Sequence, residues 1–172
     1  MAAWNAVLNA VARGASDPSR PNALLAPGLA TRDALAMATL DLSAIRPGLT
    51  GTSDLVVAPE HTAPRVGSGL IAVLATPVMI NVIEAAALAA AEHLLPQGHQ
   101  SLGIHLDVRH TAATPVGHRV TATAEVVAVE GRTITFKVTA RDETEEIGGG
   151  MHQRVVVNVD RFDERVRRKS GA

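Results

Sequence analysis

The chain has 172 residues, enough for one domain of ordinary size with a sound core, and 47% of them are hydrophobic although only 2% are aromatic. It contains no cysteine, which excludes a disulfide framework, a thiolate metal site and a cysteine nucleophile. The net charge is −1, and no basic stripe with interleaved aromatic residues is present, so nucleic-acid binding has little support.

Residues 1–48 are predicted to be an N-terminal extension, helical or partly disordered, without evident chemistry. Its first segment, MAAWNAVLNAVARGA, has the apolar pattern of a short amphipathic helix, and residues 31–45 predict a second short helix. The proline- and glycine-containing segments SDPSRPN and LAPG separate and interrupt these stretches. We therefore expect the functional domain to occupy residues 49–172.

A strand and a long helix open this domain. Residues 50–58 predict a strand, and a polar, glycine-containing connection over residues 60–69 follows. The helix is predicted to run from Thr76, as its N-cap, through Pro77 in its first turn to about residue 95, where Pro96 ends it.

This helix is apolar enough to raise the question of a membrane span, because residues 70–91 approach the ~20 residues that a span requires. However, Pro77, Asn81 and Glu84 lie inside the segment, and neither end carries a basic flank. A helix that is apolar on nearly all sides is usually buried by protein. We therefore expect a core helix and no membrane partner.

Four strands with alternating apolar and polar positions follow, over residues 102–110, 119–130, 132–141 and 151–160. The run Gly148-Gly149-Gly150 is predicted to precede the last strand, and the basic tail DERVRRKSGA is predicted to be solvated. A strand, a long apolar helix and four consecutive antiparallel strands indicate the hot-dog architecture, an α+β fold in which a sheet wraps one helix. One sheet and one helix leave surface to cover, so a homodimer is expected.

Glu84 is the one acidic residue within residues 70–91, and a buried carboxylate is costly because its charge leaves water. A purely structural interpretation pairs it with Asn81, three residues earlier on the same helix face, or with a neighbouring backbone. The functional interpretation is a poorly solvated, reactive carboxylate.

His110 is a candidate partner for Glu84 in acid–base chemistry. It ends its strand with the same parity as four apolar residues, so it is predicted to face the helix together with Leu102, Ile104, Leu106 and Val108. The alternative is a core histidine whose ring is satisfied by backbone carbonyl groups.

Thr76 lies eight residues before Glu84, which corresponds to ~12 Å along a regular helix and a difference of ~80° in direction. The two side chains therefore do not touch within one regular helix. Either the helix start is unwound, or two antiparallel helices of a dimer bring one chain's Thr76 near the other's Glu84; we favour the dimer. Two interpretations of Thr76 are open: it is only a helix cap, or it belongs to a helix N-terminus that polarises a carbonyl group.

Four short motifs carry a family resemblance: SLG at 101–103, HTAATP at 110–115, VEGR at 129–132 and EIG at 146–148. With the helix, they resemble the fluoroacetyl-CoA thioesterase family of hot-dog proteins over about residues 50–168. The resemblance implies hydrolysis of an acyl-CoA thioester, without metal or cofactor, by catalytic Thr76, Glu84 and His110. It also places Gly103 beside the acyl pocket and Arg154 near the thioester.

The segment just before the helix, which selects the substrate in the fluoroacetyl-specific member, departs from the family pattern. The fluoroacetyl-specific member has a phenylalanine-bearing lid just before its helix, whereas residues 63–76 here contain no aromatic residue and Leu70 stands about where that ring would be. We therefore expect a small acyl group as substrate without selectivity for fluoroacetyl-CoA. Leu70 and Asn81 join Gly103 and Arg154 as candidate substrate-binding residues.

The sequence thus predicts a cytoplasmic acyl-CoA thioesterase. His110 would activate water or the Thr76 hydroxyl, and Glu84 would either assist His110 or attack the carbonyl to give a mixed anhydride. Two alternatives remain: a hot-dog protein that binds an acyl-CoA or small acid without turnover, and an enoyl-CoA hydratase or dehydratase. The latter usually brings an Asp/His pair on the helix, whereas His93 near the helix end fits a dipole partner better.

Overall fold

The computed structural model describes residues 40–171. The predicted helix in residues 1–15 and most of the one in residues 31–45 lie outside the described residues. The described end of the latter, residues 40–45, is a turn and not a helix, because the Asp41 Oδ1 atom accepts a hydrogen bond from the Ser43 backbone N–H at 2.9 Å. Leu42 and Ile45 on this turn are buried in the core.

The described residues contain a five-stranded antiparallel sheet with the order β1-β3-β4-β5-β2. Its strands are β1 (Thr50–Val56), β2 (His99–His110), β3 (Arg119–Glu130), β4 (Thr133–Arg141) and β5 (Glu146–Asn158). All five predicted strands are confirmed, β3 with the predicted bounds. The predicted run of four consecutive neighbours is wrong for β2, which pairs with β5 at the sheet edge instead of with β3.

The start of β5 differs from its prediction. The strand begins at Glu146, so the three glycines lie inside it and do not precede it. A Cβ on Gly148 would clash with the Arg109 carbonyl oxygen of β2, and one on Gly149 would come within 2.7 Å of the Val138 carbonyl oxygen of β4. These glycines therefore act as points of close strand approach, a role that glycine can have within a sheet.

The helices are α1 (Ala63–Val66), α2 (Thr76–Ala91) and α3 (Val159–Lys169). The long predicted helix is confirmed as α2, which continues into a 3₁₀ turn over Glu92–Leu94. The tail, which is predicted to be solvated, forms α3, and this helix has no buried residue. Its start is capped by Asn158, whose side chain accepts a hydrogen bond from the Arg161 backbone N–H at 3.1 Å.

The sheet packs against α2, mainly through β1 and β3. Gly51 of β1 leaves room for the α2 backbone at Ala86 and Ala90, because any side chain there would clash with it. By length and composition alone, α2 together with its 3₁₀ turn could span a membrane. However, eight of the sixteen residues of α2 are buried within the protein. Hence α2 is the core helix of an α+β domain, as predicted.

Candidate active site

Thr76 is the first helical residue of α2, and Ala75 occupies the N-cap without a side-chain cap. The prediction that Thr76 caps the helix is therefore wrong by one position. Its hydroxyl has another partner: the Thr76 Oγ1 atom lies 2.9 Å from His110 Nδ1. The structure thus joins two of the three predicted catalytic residues in one hydrogen bond.

His110 faces the helix side of the sheet as predicted, but Leu102 and Ile104, which are predicted to share that face, do not. A β-bulge between Gly103 and His105 adds one residue to β2, which shifts the alternation. Before the bulge, Ser101 and Gly103 face the helix instead of Leu102 and Ile104, and Ile104 is 54% exposed.

The loop after His110, which contains the rest of the HTAATP motif, fixes the histidine next to Thr76. Within it, the Thr111 N–H donates to the Ile147 carbonyl at 2.8 Å, and the Thr114 carbonyl accepts from the Leu74 N–H at 2.9 Å. The buried Thr114 hydroxyl donates to Asp142 Oδ2 at 3.0 Å. The loop therefore ties the start of α2 to the start of β5.

Asp142 is the anchor of this loop in the turn between β4 and β5. Burial raises the pKa of its carboxyl, but hydrogen bonds from Thr144, Glu145 and Thr114 together hold that pKa well below its usual range. Asp142 is therefore a carboxylate at neutral pH and a charged acceptor for the Thr114 hydroxyl.

An open cleft of about 310 Å³ lies at the Thr76–His110 pair. Its lining is small or aliphatic apart from the pair: Ala63, Ser68, Val73, Leu74, Thr111, Ala112 and Ala113. Burial lowers the pKa of His110, although a backbone hydrogen bond at Ala112 opposes this, so the ring is neutral at pH 7. Its Nε2 atom is buried and has no partner among the described residues.

Glu84 lies in a second group of residues, which we call the Glu84 cluster: Glu84, Gly103, His152 and Arg154. The Glu84 Oε1 atom is 3.8 Å from His152 Nε2 and 3.8 Å from Arg154 Nη1. The Glu84 side chain is 30% exposed, so it opens to solvent on one side. Its partners come from β5 and not from Asn81, which is exposed on α2.

Gly103 makes room for this carboxylate. A Cβ at Gly103 would clash with Glu84 Oε1 and would come within 3.1 Å of His152 Cε1. The two predicted substrate-binding residues Gly103 and Arg154 therefore meet at Glu84. Leu70, by contrast, is 97% exposed on the segment before α2, and among the described residues neither it nor Asn81 lines the Thr76–His110 cleft.

The two groups stay apart within one chain. The helix is regular from Thr76 onward, so the unwound start considered from the sequence does not occur. Within residues 40–171, no hydrogen bond or ion pair joins Glu84 to Thr76 or His110. The predicted contact between Glu84 and His110 is therefore not formed within one subunit.

Three polar residues in or next to the Glu84 cluster are not among the residues predicted from the sequence: His152 in it, and Ser101 and Glu92 beside it. A signal was present, because His152 and Arg154 are two residues apart on one strand and so share a face. Both are buried, at 0% and 5% exposure, where a polar side chain needs a partner. Without the strand pairing, however, that face had no identified neighbour.

The chain is similar to known thioesterases over most of its length. A family model described as fluoroacetyl-CoA-specific thioesterase matches residues 57–160. The fluoroacetyl-CoA thioesterase of Streptantibioticus cattleyicolor is 39% identical over 134 residues, which cover 74% of this chain and 96% of that protein.

Solved structures agree with this similarity. A phenylalanine-to-alanine variant of a fluoroacetyl-CoA-specific thioesterase, in complex with fluoroacetate and CoA, is 39% identical with a TM-score of 0.65, covering 68% of this chain and 98% of that one. A hot-dog-like protein from Thermanaerovibrio acidaminovorans is 25% identical with a TM-score of 0.69, covering 76% and 96%. The antiparallel sheet around α2 is therefore the hot-dog fold.

Proposed function

Because the chain belongs to the fluoroacetyl-CoA-specific thioesterase family and is thus an acyl-CoA thioesterase, we propose that it hydrolyses a small acyl-CoA with Thr76, Glu84 and His110. The observation that carries this proposal is the 2.9 Å contact between Thr76 Oγ1 and His110 Nδ1 at the cleft. A solved relative that holds fluoroacetate and CoA supports an acyl-CoA as the ligand class.

The Thr76–His110 pair supplies a base next to a helix N-terminus. The lowered pKa of His110 leaves its ring unprotonated at neutral pH, so it can take a proton from the Thr76 hydroxyl or from water. The N-terminus of α2 carries the partial positive charge of the helix dipole, which would polarise the thioester carbonyl. Activity should therefore fall as the pH drops below about 6.5 and His110 becomes protonated.

Glu84 would complete the site across a homodimer. Within one chain it belongs to another group of residues, so a partner subunit whose α2 runs antiparallel is the arrangement that brings Glu84 to the Thr76–His110 pair. The edge strand β2 supports a dimer, because Ile104 and Leu106 on it are 54% and 41% exposed and its outer edge is unpaired in the sheet.

Two routes lead to the products. In the first, a water oxygen adds to the thioester carbonyl while His110 takes its proton; the carbon–sulfur bond then breaks and the thiolate of CoA receives that proton. In the second, a Glu84 carboxylate oxygen displaces the CoA thiolate to form a mixed anhydride, which water then hydrolyses. Trapping an acyl group on Glu84 identifies the second route. In a single turnover in ¹⁸O-water, a label on Glu84 would also identify it, because only hydrolysis of the anhydride at the Glu84 carbonyl leaves the label there.

The acyl group is proposed to be small but not restricted to fluoroacetyl. The segment before α2 contains no aromatic residue, and the cleft is lined by alanine, valine and leucine side chains. We also propose that residues 49–172 are the functional domain, with 1–48 as an extension, and that the protein works in the cytoplasm. Among residues 40–171, the one helix that is apolar enough to span a membrane is the core helix of the fold.

A thiol reagent that detects free CoA tests the function with acetyl-, fluoroacetyl- and longer acyl-CoA esters. We expect hydrolysis of several small esters, and a loss of about 10²-fold or more in kcat for Glu84→Gln and for His110→Ala. His93→Ala and Glu130→Gln are matched controls, because both residues lie outside the two groups.

Binding of these esters without release of CoA would contradict the proposed hydrolysis and favour the binding module. Wild-type kcat in Glu84→Gln or in His110→Ala would remove that residue from the mechanism. If Thr76→Ser and Thr76→Ala are equally active, the Thr76 hydroxyl has no part in it.

A further inference from the structure

His152 is a fully buried histidine that the proposed reaction does not use directly. Its side chain is 0% exposed, and its ring stacks on Phe136 of β4 with ring centres 6.2 Å apart. Its Nδ1 atom lies 3.0 Å from the His105 carbonyl oxygen of β2, at the bulge. A carbonyl oxygen only accepts hydrogen bonds, so Nδ1 carries the proton.

The other ring nitrogen therefore has a free lone pair whenever the ring is neutral. Burial lowers the pKa of His152, the carbonyl of His105 opposes this, and the charge of Arg154 lowers it further while Glu84 raises it. In the neutral ring, Nε2 accepts a hydrogen bond from Arg154 Nη1 at 3.4 Å. Glu84 from α2, Arg154 from β5 and the His105 carbonyl from β2 are the polar groups that face the ring.

Three hydrogen bonds hold the Arg154 guanidinium, two to Ser101 and one to His152. Its Nε atom donates to Ser101 Oγ at 2.9 Å, and its Nη2 atom donates to the Ser101 carbonyl at 2.9 Å. Ser101 is itself fixed, because its N–H and hydroxyl both donate to the Glu92 carboxylate. Ser101 thus orients one side of the guanidinium and His152 the other, and the Nη1 nitrogen lies 3.8 Å from Glu84 Oε1.

We propose that His152 is a positioning residue of this thioesterase, which accepts a hydrogen bond from Arg154 and thereby fixes the guanidinium against the Glu84 carboxylate. The inference rests on the proposed role of Glu84 and deepens it. In this arrangement the Arg154 side chain is buried, with 5% exposure, and acts on Glu84. His152 Nε2 lies 3.8 Å from Glu84 Oε1, too far for a hydrogen bond, and we assign its effect on that carboxylate to the hydrogen bond that it accepts from Arg154.

Two substitutions at His152 separate this role from simple packing. His152→Phe keeps an aromatic ring next to Phe136, although a larger one, and removes both ring nitrogens, so we expect kcat to fall by about 10²-fold with KM changed less than about threefold. His152→Gln keeps an acceptor near the Nε2 position and should recover most of the lost kcat. Equal activity of the two variants, whether high or low, would overturn the proposal.

A double-mutant comparison tests whether His152 works through Glu84. In a Glu84→Gln background, His152→Phe should change kcat by less than about threefold, since the residue that it positions is already impaired. An additional loss as large as that in the wild-type background would show that His152 acts elsewhere. If Glu84→Gln alone keeps wild-type kcat, the proposed role of Glu84 fails, and that result is distinct from either outcome for His152.

A spectroscopic measurement on the folded enzyme does not depend on activity. In ¹⁵N-histidine-labelled protein at pH 7, with His152→Gln for assignment, His152 should be neutral with its proton on Nδ1. Its Nε2 resonance should move in Arg154→Met, which removes the donor. A proton on Nε2, or an Nε2 resonance that is unchanged in Arg154→Met, would overturn the proposal even if His152→Phe does not fold.

Discussion

At the scale of single residues, Gly103 decides where the Glu84 carboxylate can lie. The clash that a Cβ would make involves the far end of a flexible side chain and not backbone, so Glu84 would swing away while the strand stays in place. A side chain added at Gly103 would therefore affect catalysis more than the stability of the fold. The family resemblance predicts that this glycine lies beside the acyl pocket, and the structure shows that it lies against the Glu84 carboxylate.

Gly103→Ala is accordingly expected to lower kcat by about tenfold or more, because displacing a reacting group by about 1 Å has effects of that size. Its free energy of unfolding should stay within about 1 kcal/mol of the wild type, as measured by urea denaturation. Combined with Glu84→Gln, the substitution should cause little further loss. Wild-type kcat in Gly103→Ala would show that the carboxylate does not need this position.

At the scale of elements, the hydrogen bond from Thr114 to Asp142 connects the loop after β2 with the turn between β4 and β5. Both ends of the loop matter to the site, since His110 precedes it and the Thr114 carbonyl holds Leu74 just before α2. The Asp142 carboxylate also accepts the N–H groups of Thr144 and Glu145 at 2.9 and 3.0 Å, so it is a rigid anchor.

Thr114→Val keeps the shape of the side chain but removes the buried donor. We expect the free energy of unfolding to fall by about 1–2 kcal/mol, because a charged acceptor loses its buried partner, and kcat to fall with it as His110 loses its fixed position. Thr144→Val is the matched control: its hydroxyl also donates to Asp142, at 2.7 Å, but it is exposed and water can replace it. Equal unfolding curves for the two variants would contradict the anchoring role.

At the scale of the whole molecule, the separation of the Thr76–His110 pair from Glu84 leads to a complementation experiment. If each site takes the pair from one subunit and Glu84 from the other, a heterodimer of Thr76→Ala and Glu84→Gln chains has one site with both substitutions and one intact site. After the two inactive variants are unfolded, mixed and refolded, we expect about a quarter of wild-type kcat, since half of the dimers are mixed and each has one active site.

The same experiment has two clear controls. Each variant refolded alone should stay inactive, and wild-type protein refolded alone should recover its activity. No recovery in the mixture, with dimers present by light scattering, would place Thr76 and Glu84 of one site in the same chain. A monomer that is fully active would contradict the homodimer itself.

The periodicity of the sequence determined much of the fold and two of the candidate site residues. Alternation over β3 predicted its bounds, and the apolar run predicted α2, because both signals come from neighbours along the chain. Glu84 and His110 were recognisable because an acid in an apolar helix and a histidine on an apolar face both break a local pattern.

The tertiary structure alone decided which of these residues meet. The place of β2 beside β5 depends on pairing between distant segments, which no local pattern encodes, and it is this pairing that brings Gly103 opposite Arg154. The bulge between Gly103 and His105 shifts the alternation of β2 by one residue. A prediction that assumes strict alternation along the strand therefore assigns Ile104 to the wrong face. For the same reason His152, a polar residue on a strand, is a candidate only once the pairing is known, because the pairing buries it against Arg154 and next to Glu84.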